Sequence, residues 1–180
     1  MRIVTSTIFC ICLTLSSPAL MQSEGWRGIV PLHSTRADVE RTIGAPINNL
    51  KNLYDTDKER VLIYYQQERC ITGDAKGRRV QGGWNVSPDT VLSIDIAPKS
   101  KIQFSALRLD EAKYKKIIHP HDPLTTYYVN EEDNISVSID SAEGWIKRFS
   151  YGPTTKDEKL HCPSTPAPAK DKVDCPPPHN

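Results

Sequence analysis

Net charge of either sign is the first thing this sequence lacks. It carries 23 Lys and Arg against 22 Asp and Glu over 180 residues. A chain so balanced has no electrostatic footprint for general binding to nucleic acid or to an anionic membrane surface. It also lacks a phosphate-cradling glycine loop and a dinucleotide fingerprint, so no nucleotide cofactor is expected. There is no Gly-x-Ser-x-Gly elbow and no cysteine set beside a base, which leaves nucleophilic catalysis without a signature. A full-length membrane span is missing too. Ile3 to Leu20 is uncharged and mostly apolar, but it is short and interrupted by Ser16, Ser17 and Pro18.

That apolar run has a different meaning. Arg2 precedes it, and Ser17-Pro18-Ala19 offers small residues for cleavage, so residues 1–23 read as a secretory signal peptide. Cys10 and Cys12 have no lipoprotein cleavage context. No stable membrane anchor is therefore expected after cleavage, and the address is secreted or periplasmic. Cleavage removes Arg2 and leaves 22 basic residues against 22 acidic ones. Charged residues at 25% and hydrophobic residues at 38% are enough for a modest core. The charge is laid down in blocks. Lys99, Lys101, Arg108, Lys113, Lys115 and Lys116 crowd one segment, while 122–143 holds six acids and no Lys or Arg. Cys70, Cys162 and Cys175 follow the leader, in a compartment that permits disulfides. A Cys70–Cys162 bridge is favoured. It closes a loop of about 90 residues and contributes on the order of 4 kcal/mol. Cys70–Cys175 is the competing pairing.

The clearest element runs from Thr35 to Pro46. Thr35 is a helix N-cap with Asp38 three residues on. Val39, Thr42 and Ile43 give one apolar stripe, and Gly44 and Pro46 end the helix. Trp26, Ile29 and Leu32 just before it are expected to cover one end of the core. Val61 to Tyr65 reads as a strand, apolar on both faces and so central. Thr90 to Ala97 alternates as a second strand. The stretches 48–60 and 69–83 read as loops. Asp110 to His119 reads as a second short helix, with Tyr114, Ile117 and Ile118 as its stripe. Strands follow at Thr125–Val129, Ile135–Ile139 and Trp145–Tyr151. The fold class is therefore α+β: an antiparallel sheet with short helices packed on one face, and an α+β domain over residues 24–162. The order helix, strands, helix, strands suggests two pseudo-repeats, 24–98 and 99–162. Six of the last 18 residues are proline, so 163–180 reads as a disordered, Pro-rich tail.

The Thr35-Arg36-Ala37-Asp38-Val39 start and the Ile43-Gly44-Ala45-Pro46 finish resemble the helix signature of the BamE/SmpA-like outer-membrane lipoproteins. The resemblance implies a small domain of helices on an antiparallel sheet. A tandem copy of such a unit is similar to the beta-lactamase inhibitor protein fold. The chain departs from the lipoprotein pattern in having no lipobox, a second half and a proline tail. The matching positions are structural, so no catalytic residue follows from them.

Candidate chemistry is sparse. His119, His121 and Asp122 share one loop and can ligate a divalent metal, though a third firm ligand is missing and a polar connection is the plainer reading. His161-Cys162 and the 175–179 segment offer soft ligands only if Cys162 is not oxidised. Glu131-Glu132-Asp133 reads as a solvated turn, and Arg78-Arg79 as a basic loop. Tyr64, Tyr65, Tyr127, Tyr128, Trp145 and Tyr151 fall on strands. Core packing is their default role. The alternative is a tyrosine-lined face for a partner, with Tyr64, Tyr127 and Trp145 as its binding residues. The expected function is that of a non-enzymatic exported module that binds a protein or cell-envelope component. The alternatives are a small secreted enzyme or metal protein using the His119/His121/Asp122 loop, and a hydrolase or protease inhibitor by fold analogy.

Overall fold

Thr35 ends an extended stretch and starts a helix. Its hydroxyl accepts from the Asp38 N–H, and the Asp38 carboxylate accepts from the Thr35 N–H at 2.8 Å. This reciprocal cap opens α1 (Arg36–Ile43). Gly44 closes it at φ 87°, a value that favours glycine, with its N–H donating to the Glu40 carbonyl. A two-turn helix is not stable alone. Val39 is fully buried and Ile43 packs beside it, so α1 is held by what lies beneath.

The computed structural model describes residues 25–47, 50–73, 79–119 and 121–163. The expected leader, Arg78 and the tail from Ser164, with Cys175, lie outside the described residues. The strands are β1 (Leu53–Asp55), β2 (Glu59–Tyr65), β3 (Ile71–Gly73), β4 (Arg79–Gln81), β5 (Val91–Pro98), β6 (Lys115–His119), β7 (Asp122–Asn130), β8 (Ile135–Asp140) and β9 (Ile146–Tyr151). Seven of them form one antiparallel sheet in the order β1-β2-β5-β9-β8-β7-β6, and β3 and β4 form a separate hairpin. Among the described residues α1 is the only α-helix, so the architecture is mostly sheet.

Register builds the core. Tyr54 lies opposite Val61, then Ile96, Phe149, Val137 and Tyr128 follow in line across six strands. Ile63, Ile94, Tyr151 and Ile135 form the neighbouring row. Because side chains alternate along a strand, both rows share one face. Two coverings keep that face dry. Ile29 and Val39 pack over the first half, joined by Trp26 and Ile43. Ile102, Phe104, Leu107 and Leu109 pack over Val137, Ile139 and Ile146. Phe104 stacks on Tyr128 with ring centroids 4.2 Å apart.

Three sequence expectations change. The second helix is absent: 3-10 turns at Phe104–Leu107 and Glu111–Lys113 lead into β6. The spacing of Tyr114, Ile117 and Ile118 suits a helix, but β-branched isoleucines suit a strand equally, and Lys115 to Ile118 pair with Val129 to Thr126. The strand 61–65 is not central. β2 stands next to the edge strand β1, and Tyr64 is exposed. The stretches read as loops contain β1 and the β3–β4 hairpin.

The disulfide joins Cys70 to Cys162, across 92 residues and with Cα atoms 5.5 Å apart. It fastens the hairpin base to the C-terminal segment. The Cys70 N–H donates to the Trp84 carbonyl and the Cys162 N–H to the Gly83 carbonyl. The Trp84 and His161 rings meet at 3.9 Å.

Two isoleucines on the core face, one buried and one on the edge strand, test how far its coverings reach. Ile63→Ala is expected to cost about 2–5 kcal/mol in urea denaturation. Ile118→Ala, at a position 58% exposed on β6, is expected to change stability by no more than about 0.5 kcal/mol. A paired Cys70→Ser/Cys162→Ser variant is expected to lose about 2–5 kcal/mol in the same assay.

Candidate functional site

The sheet face opposite the core carries different chemistry. Leu62, Asp95, Ser150, Ser136 and Val129 lie in line across five strands, and Arg148, Ser138, Tyr127 and Ile117 form the next row. Three serines give this face a low, hydroxyl-rich floor. Asp95, only 16% exposed, accepts from Arg148 Nη1 at 3.1 Å. The Tyr127 hydroxyl donates to Asp122 Oδ2 at 3.3 Å. Burial, then the neighbouring Asp122 carboxylate, pushes the Tyr127 hydroxyl pKa up, so it stays a protonated donor. Both hydrophobic clusters of the described residues lie on the other side of the sheet.

The three aromatic candidates do not converge. Tyr64, 44% exposed, and Tyr127 share the outward face but sit on β2 and β7, four strands apart. At about 4.8 Å per strand that is roughly 19 Å. Trp145 stands at the β8–β9 hairpin, beneath the Lys101 ammonium at 5.1 Å. Tyr65 and Tyr151 are core residues. The Tyr65 hydroxyl shares a 2.7 Å hydrogen bond with that of Tyr54, and Arg36 lies 3.9 Å above its ring.

The 119–122 loop is only partly described. His119 pairs with Asp122 at the end of β6, and its side chain and Pro120 lie outside the described residues. Asp122 is engaged by Tyr127. Among the described residues no three His, Cys, Asp or Glu side chains group to hold a metal ion. Cys162 is oxidised, so it is no soft ligand, and the other donors expected at 175–179 lie outside the described residues. The 131–133 acids sit in the β7–β8 turn, where the Asn130 side-chain oxygen accepts from the Glu132 and Asp133 N–H groups.

The pair that sequence reading missed is His33 with Asp157, 124 residues apart. His33 Nε2 lies 2.8 Å from Asp157 Oδ1. Thr154 and Asp157 form a second capping box at the 3-10 turn Thr155–Leu160, with Asp157 Oδ2 accepting from the Thr154 N–H and hydroxyl. Asp157 is 6% exposed. Burial acts to raise its pKa, but the hydrogen bonds from His33 and Thr154 outweigh it and hold the carboxyl below its usual range. The Thr154-x-x-Asp157 spacing was the legible half of this arrangement. Nothing local in the sequence links it to His33.

No protein-family model, curated protein or solved structure matches the chain.

The Asp157 pair has a pH signature. Its folded pKa lies below the unfolded value of about 3.9, so its stabilisation is present above that value and lost as pH falls through the folded pKa. Asp157→Asn is expected to cost about 1–3 kcal/mol at pH 7. The difference from wild type should close in denaturant titrations repeated at acid pH.

Proposed function

We propose that this chain is an exported, non-enzymatic binding module that seats a protein or cell-envelope component on the outward face of its sheet. The observation that carries this reading is the contrast between the two faces. One is buried beneath two coverings. The other presents Ser136, Ser138 and Ser150 between the Asp95–Arg148 ion pair and Tyr127. A flat polar floor bordered by a tyrosine and an arginine suits a macromolecular partner, since tyrosine and arginine are enriched where such interfaces are strongest.

We infer the finer fold as part of the same proposal. The domain is of the α+β kind, related to BamE/SmpA-like units and arranged in tandem as in the beta-lactamase inhibitor protein. Supporting this, β5 and β9 end their halves and pair antiparallel with each other, Ile94 with Tyr151 and Ile96 with Phe149. From that seam β2 and β1 extend one way, and β8 and β7 the other. The leader and the disulfide are consistent with a secreted or periplasmic address, with no stable anchor after cleavage.

Site-directed photo-crosslinking in the producing cell tests the reading. A crosslinker at Ser136 or Tyr127 is expected to trap a discrete partner, and one at Glu40 on α1 to trap none. Arg148→Glu should weaken capture at least ten-fold. Equal trapping from both faces, or none from the outward face, would reject the proposal.

A further inference from the structure

A cavity of about 300 Å³ opens between the N-terminal turn and the C-terminal 3-10 turn. Its titratable lining is His33, Asp133, Tyr151, Lys156 and Asp157, and Val30 and Pro31 are its apolar lining. This volume is at the small end of the range for ligand pockets.

Both sides of the cavity are held before any ligand arrives. The turn carrying His33 is tied to β5 twice: the Leu32 N–H donates to the Val91 carbonyl, and the Val91 N–H to the Ser34 carbonyl. Asp157 is fixed by its capping box. The cavity's hydrogen-bonding capacity is therefore spent unevenly. Asp157 uses one oxygen on His33 and the other on Thr154. Asp133 accepts from the Asn130 side chain at 2.9 Å. Tyr151 is a protonated phenol, pushed up to about 12 by burial and then by Tyr114. Both acids already accept hydrogen bonds, and Lys156 is the charged group of the cavity without a carboxylate partner among the described residues.

We propose that this cavity binds a small organic carboxylate. Its anionic end lies between the Lys156 ammonium and the His33 ring, and its apolar body lies against Val30 and Pro31. Asp157 occupies Nε2, so Nδ1 is the ring nitrogen left for the ligand. The imidazolium form of His33 donates from both nitrogens at once, one to Asp157 and one to the ligand. Asp157 acts as a positioning residue, orienting the ring without touching the ligand.

Phenylacetate titrated into the purified, oxidised chain tests this by amide NMR, read at Gly25 and Gly152. Saturable shifts are expected at both. Phenylacetamide, the same shape without the charge, should bind at least ten-fold more weakly. Lys156→Met, a substitution at an exposed position, should weaken phenylacetate at least ten-fold and leave the melting temperature unchanged. His33→Gln should also weaken it, which separates a ligand contact from a general effect of surface charge. Absence of saturable shifts, equal affinity for the amide, or unaltered affinity in Lys156→Met overturns the proposal.

Discussion

One face of a seven-stranded sheet has to stay dry along its whole width, and the rest of the structure answers to that requirement. The apolar row from Tyr54 to Tyr128 crosses six strands, wider than a single eight-residue helix can roof. The molecule solves this with two unlike coverings. On the β2–β5 side a capped helix contributes Val39, helped by Ile29 from the preceding turn. On the β8–β9 side no helix forms, and Ile102, Phe104, Leu107 and Leu109 come from irregular chain and a 3-10 turn. Burial of apolar area is indifferent to backbone geometry, so long as backbone polar groups find partners. The Phe104 N–H, for example, donates to the Gly144 carbonyl.

What the sequence disclosed about this fold follows from the range of each signal. Caps and alternation are local. Thr35, Asp38 and Gly44 announce α1 at the residues where it begins and ends. Ile135, Val137 and Ile139 alternate with serines as β8 does. Signals that depend on a neighbouring strand were not legible. Lys115 to Ile118 satisfy a helical spacing and a strand preference together, and only β7 beside them decides the outcome. Leu53 to Asp55 looks like polar loop and becomes a strand because β2 offers it an edge. In the sequence Cys175 competes with Cys162 for Cys70, and only the fold brings Cys70 and Cys162 together.

The candidate sites follow the same division. Tyr64 and Tyr127 were recognisable as strand tyrosines, and both do face outward. Their separation across four strands depends on the sheet order, which inserts β5, β9 and β8 between them. The Asp95–Arg148 pair likewise exists only because β5 and β9 are neighbours. His33 and Asp157 are an extreme case. Each sits in its own tight turn, and they meet where the turn before α1 and the 3-10 turn after β9 line one cavity.

Among the described residues β9 is the last strand in sequence, and it is the middle strand of the sheet. A ribosome delivers β1, β2 and β5 well before it. Until Phe149 to Tyr151 arrive, the rim of β5 from Ile94 to Ile96 is an open template for any extended polypeptide nearby. Completing the sheet joins residues more than fifty positions apart, and such distant closures place a domain among the slower folders. The half-made molecule is thus most exposed to mispairing at the line where the finished one is most protected, so the hazard belongs to its birth rather than its working life.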